Sequence, residues 1–330
     1  MTGKLIGMMG LAGAAALGYA WAGERPQMRL DRYEIALPGG VGAGLRLLHL
    51  ADQHLGPENW VQKRRMQHLR RLLPDLRPDL ILFTGDFLHN DTGLAAVEDL
   101  LRLLPPARLG VYAVLGNHDY AEYSWGRFFG GVGQAVGAAR GLRRKLAAAG
   151  AGVGQVVGLG LRILRNERLR FARVANDTRE LRALLELYDV CLLDNTAVPI
   201  PGQPGLWLAG VDDPIEGAPD LAQAWAGIPS AAPVLLLTHH PDLAYQTPPG
   251  LALALSGHTH GGQVVLPWLG AVHTQGTRLP RRHASGWFDD LPNGGRMFVS
   301  RGMGESTPFR FRCPPQVAVI DLLPVIEREA

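Results

Sequence analysis

Five short apolar runs in this chain each stop on Asp, Asn or His, and that repeated ending constrains the fold more than any other feature. Leu47–Leu50 runs into Ala51-Asp52-Gln53-His54, and Leu80–Phe83 into Thr84-Gly85-Asp86. Val111–Leu115 runs into Gly116-Asn117-His118-Asp119, and Val234–Leu237 into Thr238-His239-His240-Pro241-Asp242. Leu251–Leu255 runs into Ser256-Gly257-His258-Thr259-His260-Gly261-Gly262-Gln263. Runs this short and this apolar suit strands buried on both faces. Ligands of open α/β sheets gather beyond the C-terminal ends of the strands, so five strands would deliver metal-type side chains to one edge. Alternation along extended backbone puts Asp52 with His54, and His258 with His260, on one side. The glycines let backbone pass close beside them.

The order Asp-x-His, Gly-Asp, Gly-Asn-His-Asp, His, Gly-His-x-His resembles the calcineurin-like metallophosphoesterase family, from about Leu47 to Leu322 with one internal segment excepted. Val299–Gly304 and Phe311–Pro315 resemble the C-terminal segment of a branch of small membrane-associated bacterial phosphoesterases, which includes a UDP-2,3-diacylglucosamine hydrolase of lipid A synthesis. The resemblance implies an α/β fold, a four-layer αββα sandwich of two mixed β-sheets with a two-metal centre at one edge. Carried over residue by residue, it gives the first metal Asp52, His54, Asp86 and His260. It gives the second Asp86, Asn117, His239 and His258, with Asp86 bridging. Mixed imidazole and carboxylate donors suit Mn, Fe or Zn. Two such divalent ions, roughly 3.5–4 Å apart, can bridge a water, lower its pKa and hold the hydroxide in line with phosphorus.

His118 is the candidate acid for the leaving oxygen, and Asp119 either orients it or ends the turn. Many relatives carry an aspartate three residues after the bridging one, where this chain has His89, followed by Asn90 and Asp91. Either Asp91 or Asp119 substitutes, or His118 works without a carboxylate partner. His239 and His240 compete for one ligand role, since alternation lets only one face the metals. The family pattern favours His239, leaving His240 to line the substrate side or cap the turn before Pro241. Asp212 and Asp213 precede Pro214 and read as turn residues.

At 330 residues and 47% hydrophobic content the chain can bury one large core, so 27–330 is expected to form a single metallophosphoesterase domain. Residues 1–26 form a separate N-terminal segment. Leu5 to Ala22 carries no charge, at the lower length limit of a spanning helix, and is expected to be a hydrophobic helix serving as an uncleaved anchor. Ala20-Trp21-Ala22 keeps a cleaved signal peptide open as the alternative. Arg25, Arg29 and Arg32 lean the domain toward the cytoplasmic face.

The span 124–176 is Gly/Ala/Arg-rich, with Arg140, Arg143, Arg144 and Lys145 among its basic residues against the single acid Glu167 up to Val174. It is expected to fold over the site as an inserted cap, with Arg143 and Arg144 meeting an anionic substrate. A solvated insertion is the plainer alternative. Cationic and apolar residues together suit a lipid-linked phosphorylated substrate or the membrane surface. Aromatic residues do not interleave with the arginines, which ranks nucleic acid lower, and no His-Glu-x-x-His helix points to a zinc protease. The expected activity is metal-dependent hydrolysis of a phosphodiester or pyrophosphate bond, on UDP-2,3-diacylglucosamine as the named substrate. The alternatives are a soluble phosphoester substrate and a metal-dependent binding protein without turnover.

Overall fold

The computed structural model describes residues 15–37, 44–123, 158, 161–163, 165–167 and 173–324. Arg140, Arg143, Arg144 and Lys145, and the apolar stretch before Ala15, lie outside the described residues. Among the described residues sixteen strands follow in chain order. They are β1 Arg29–Ala36, β2 Arg46–Leu50, β3 Leu80–Thr84, β4 Val111–Val114, β5 Ala121–Tyr123, β6 Arg173–Ala175, β7 Val190–Leu192 and β8 Thr196–Pro199. Then come β9 Trp207–Val211, β10 Val234–Thr238, β11 Leu251–Ser256, β12 Val265–Leu266, β13 Gly270–Ala271, β14 Gly286–Phe288, β15 Arg296–Val299 and β16 Gln316–Leu323. The α-helices are α1 Trp60–Leu72, α2 Leu94–Leu101, α3 Asn117–Tyr120, α4 Thr178–Leu187 and α5 Leu221–Trp225.

Two six-stranded sheets carry the fold, ordered β1-β16-β2-β3-β4-β7 and β14-β15-β11-β10-β9-β8. Both are mixed. In the first, β2, β3, β4 and β7 run parallel while β16 lies antiparallel to β2. In the second, β9, β10, β11 and β15 run parallel, with β8 and β14 antiparallel at its edges.

The continuous apolar runs are explained by burial on two faces. Leu80 and Leu82 of β3 point into a core shared between the sheets, with Leu235 and Leu237 of β10 and Leu253 and Leu255 of β11. Ile81 and Phe83 face the other way, against Leu69 of α1, Leu100 of α2 and Leu181 of α4. Leu236 and Val234 of β10 face a third cluster with Ala224 of α5. The helices start where the side chains dictate: Asn59 caps α1 by accepting the amides of Val61 and Gln62, both at 3.0 Å, and Asp177 caps α4. Such a cap contributes roughly 1 kcal/mol.

Among the described residues no helix is long and apolar enough to cross a membrane. The described part of the N-terminal segment ends in a π-turn, Tyr19–Gly23, which is bound to the C-terminal loops. Glu24 accepts the amide of Arg312 at 2.7 Å and that of Cys313, and Arg25 pairs with Glu305 at 2.7 Å.

Candidate metal centre

The C-terminal ends of β2, β3 and β4 from one sheet and of β10 and β11 from the other meet at one edge. There the chain leaves the strands through left-handed backbone: φ is 51° at Asp52, 46° at His54, 57° at Asp86, 69° at His258 and 51° at His260. Strand alternation is therefore not what aligns these pairs, contrary to the expectation from spacing. Each holds a conformation that non-glycine residues rarely adopt, which surrounding contacts must enforce. The contacts are backbone hydrogen bonds between neighbouring loops: Asp52 N donates to Gly85 O at 3.0 Å and His54 N to Asp86 O at 2.9 Å. Glycine is required where the loops crowd. A Cβ on Gly116 would meet the Asp86 carboxylate and lie 2.7 Å from His239 Nδ1, and one on Gly257 would lie 2.6 Å from Asp52 Oδ2.

The side chains converge in two groups. Donor atoms of Asp52, His54, Asp86 and His260 all lie within 4.8 Å of one another. His54 Nε2 sits 3.0 Å from His260 Nε2 and 3.2 Å from Asp86 Oδ2. In the second group His239 Nε2 lies 3.2 Å from Asn117 Oδ1 and 3.3 Å from Asp86 Oδ2. His258 Nδ1 is 3.1 Å from the same Asn117 oxygen. Asp86 Oδ2 is common to both groups. Its other oxygen, Oδ1, accepts the backbone amide of His118 at 2.8 Å. Asp52 Oδ1 accepts the amide of His258 at 2.8 Å, while Oδ2 is buried without a partner among the described residues.

This donor set fits divalent cations. Two ring nitrogens facing each other at 3.0 Å can share one proton at most, and an orphaned buried carboxylate oxygen is costly. A cation among them resolves both. His239 Nδ1–H donates to Thr84 O at 2.8 Å, which fixes the tautomer that leaves Nε2 free to ligate. The carboxylates around the ring make Nε2 a place for positive charge, either a proton or the metal that displaces it. Burial pulls the His239 pKa down, but Asp86, Asp52 and Asp213 outweigh it and push it up to about 10. Burial, with Asp86 adding to it, pushes Asp52 up to about 6. Burial holds His258 and His260 well below the ordinary imidazole value, so both rings stay neutral and able to bind metal.

The calcineurin-like phosphoesterase family model matches residues 45–262, the stretch that supplies every one of these donors. The chain belongs to that family. It is a metallophosphoesterase, a hydrolase with a His/Asp cluster able to hold metal ions. It is similar to the UDP-2,3-diacylglucosamine pyrophosphatase LpxG of Chlamydia muridarum, at 27% identity over 97% of this chain and 98% of that one. The protein of the same name from Chlamydia trachomatis is 28% identical, over 94% of each chain. Phosphodiesterase YaeI of Escherichia coli is 24% identical over 95% of each.

In this phosphoesterase His118 lies against the first donor group, its ring 4.4 Å from that of His54. It is buried, and its Nδ1 has no hydrogen-bond partner among the described residues. Burial holds its pKa well below the ordinary value. Asn176 fixes the loop by donating to His118 O at 2.8 Å. The two carboxylates considered as orienters are engaged elsewhere. Asp119 accepts the amides of Gly116 at 2.8 Å and of Asp86 and Leu88 at 2.9 Å, so it clamps the loop that bears Asp86. Asp91 accepts the amide of Asp177 at 3.0 Å. His89, at the variant position, stacks on His118 with ring centres 6.1 Å apart. His240 caps the turn at Pro241, accepting the amide of Asp242 at 3.3 Å, and lies against His258 with ring centres 4.5 Å apart.

A cleft of about 530 Å³ opens over the centre, with Asp86, Asn117, His118, His258 and His260 on its floor. Its walls include Ile163 and Arg173 from the span 124–176. The described pieces of that span touch both sides. β6 pairs with β5, Tyr123 opposite Arg173, beside His118. Asn166 bonds both the amide and the hydroxyl of Thr274, at 2.8 and 2.7 Å, and His273 Nε2 donates to Glu167 O at 2.8 Å.

Sequence reasoning passed over three contributors. Thr84 and Asn176 act through a carbonyl and an amide that no motif marks. Asp213 does make a turn, accepting the amides of Ile215 and Glu216 at 2.7 and 2.8 Å. Its charge also acts on His239, and its Oδ1 is buried without a partner among the described residues. The signal was present: Asp212-Asp213 ends β9 as the other acids end their strands.

Proposed function

We propose that this metallophosphoesterase hydrolyses the pyrophosphate of a nucleotide-linked lipid, with UDP-2,3-diacylglucosamine as the substrate. The observation that carries the reading is Asp86 Oδ2, at 3.2 Å from His54 Nε2 and 3.3 Å from His239 Nε2, shared between two donor groups. Asp52, His54, Asp86 and His260 would hold one divalent ion, and Asp86, Asn117, His239 and His258 a second. Bound there, the pair would supply Lewis acidity for phosphoryl oxygens and acidify a water. His118, neutral while its ring is buried, would take up a proton once the phosphate charge of the substrate lies beside it and pass that proton to the leaving oxygen, held by the Asp86 carboxylate at its amide and by Asn176 at its carbonyl. It does so without a carboxylate behind its ring, His89 taking that place. The pyrophosphatase named for the Chlamydia relatives and the apolar N-terminal segment support the lipid-linked substrate. The span 124–176 would act as a cap, with Arg143 and Arg144 toward the phosphates. Membrane association on the cytoplasmic face belongs to the same reading.

Purified full-length protein with Mn²⁺ is expected to release UMP and the lipid phosphate from UDP-2,3-diacylglucosamine. No release, with hydrolysis of bis-p-nitrophenyl phosphate retained, would contradict the substrate and leave a soluble phosphodiester, as the relative named a phosphodiesterase suggests. The register of β5 and β6 allows a clean second arm. Replacing residues 124–172 by Asn-Gly joins Tyr123 to Arg173 through a two-residue hairpin. Turnover of the lipid should vanish in that variant while the chromogenic substrate survives.

A further inference from the structure

The small hairpin β12–β13 turns through Pro267-Trp268-Leu269, and its tip is unusual. Trp268 is 92% exposed, with Leu266 and Leu269 beside it at 38% and 41%. Trp268 is also held at φ 63°, a strained conformation for a bulky residue, closed by a 2.8 Å bond from Leu269 N to Pro267 O. The base of the same hairpin reaches the catalytic cleft, since Gly262, Val264 and Val272 line it. Aromatic residues continue from the hairpin toward the N-terminal segment, half-buried at Phe311 and exposed at Tyr19, Trp21 and Trp60. Val265 N donates to Phe311 O at 2.9 Å. The Phe311 ring lies 6.4 Å from Tyr19, and Trp21 lies 6.1 Å from Trp60. Arg310 N, next to Phe311, donates to Ala20 O at 2.9 Å. Tyr19, Trp21 and Trp60 are all exposed, and so are Arg282, whose backbone crowds Gly270 of the hairpin, and Arg312, next to Phe311.

Exposed aromatic side chains gathered in this way mark an interaction site. We propose that the Val265–Ala271 hairpin and the aromatic strip through Phe311, Tyr19, Trp21 and Trp60 form a bilayer-docking face that sets the cleft against an anionic membrane. Three observations select a membrane as the occupant. The strip runs into Leu5–Ala22, a stretch of sequence without a charge. Its exposed rings are mostly Trp and Tyr, the residues that settle at membrane interfaces. Its flanking charges, Arg282 and Arg312, match anionic headgroups. The inference rests on the reading of a lipid-linked substrate, because a cleft seated on the bilayer receives such a substrate without extracting it into water.

The test places an environment-sensitive nitrobenzoxadiazole label at Trp268→Cys in full-length protein carrying Cys191→Ser, and a control label at Leu187→Cys, at the end of α4, which packs on the first sheet. Vesicles containing phosphatidylglycerol are expected to shift the hairpin label's emission to the blue and to leave the control unchanged. Trp268→Ser should lower vesicle partition about 10-fold. A hairpin label that stays in water while the protein floats with the vesicles would overturn the docking face. So would a chain that does not bind vesicles, or one whose hairpin label responds only to self-association, which would assign the face to a second copy. The substrate reading fails separately: a label that enters the bilayer in a protein that releases no UMP contradicts the substrate and not the face.

Discussion

At the floor of the cleft and just beneath it, Asp52, Asp86, His239 and His260 are buried almost completely, and most of the donors sit in left-handed backbone pinned by amide hydrogen bonds. On its rim, Ile163, Arg173, Glu216, His273 and Gln275 are partly exposed, in ordinary backbone except at Gln275, and joined by ion pairs and single hydrogen bonds. The floor is over-determined and the rim is not. Strain and burial on the floor hold ligand atoms where the chemistry requires them, whereas the rim can change composition at little cost to stability. The contrast assigns bond breaking to one region and choice of substrate to the other, so substitutions in the two should separate on two assays, a chromogenic phosphodiester and the nucleotide-lipid.

The largest separation is expected at His118. His118→Gln should lower kcat about 10³-fold on both substrates, near 4 kcal/mol, with metal content unchanged. A loss confined to the lipid substrate would break the comparison by moving His118 to the rim.

Glu305 comes next, and it reads out in stability. Its carboxylate lies between Arg25 and Arg65 with Arg310 behind, and it adjoins Ser306 and Thr307 of the cleft wall. Burial alone would raise its pKa, but the three arginines hold it below the ordinary value of 4.5. A depressed carboxyl contributes stability that is complete above that ordinary value and drains away as pH falls through the folded-state pKa. Glu305→Gln should therefore destabilise the protein by about 3 kcal/mol at pH 7, with the gap to wild type narrowing below about pH 4.5. Denaturant titrations at pH 7 and pH 4 would show it; a gap independent of pH would contradict the charge assignment.

Asp119→Asn replaces one acceptor oxygen where three amides converge. About 2 kcal/mol of stability should be lost, and metal affinity should fall about 10-fold by calorimetry, on the reasoning that the clamp and not the acid is disturbed. An altered pH profile with unchanged metal affinity would return Asp119 to His118 as its orienter.

The smallest effect belongs to the rim. Arg173→Ala removes an exposed pair with Glu216 and should leave stability within about 1 kcal/mol. It should raise KM for the nucleotide-lipid a few-fold and leave the chromogenic substrate alone. An equal effect on both would erase the distinction between floor and rim.

The floor was legible in the sequence because each donor ends a buried strand, so a single pattern reports both strand and ligand. The runs pointed to buried strands, while the α/β fold of two mixed sheets was what the family resemblance implied. The backbone geometry was not legible: Asp-x-His and His-x-His read as alternation on extended chain, but the structure turns through φ near 50° at Asp52, His54 and His260. Spacing alone cannot tell the two apart, since both bring residues i and i+2 together. That no described carboxylate orients His118 was also hidden. Asp119 adjoins His118 and Asp91 lies two residues past the variant position His89, and only the direction of their hydrogen bonds shows both committed to backbone amides. Asp213 was set aside because turn chemistry before Pro214 was a sufficient reason for it, and a sufficient reason does not exclude a second one.

The most direct test is the metal count at Asp86. Full-length protein reconstituted with Mn²⁺ should carry two ions per chain by elemental analysis, with two anomalous peaks, one on each side of the Asp86 carboxylate. Asp86→Asn should lower that occupancy and turnover together, the latter at least about 10³-fold. One ion per chain in the wild type, or two ions with full activity in Asp86→Asn, would contradict the account.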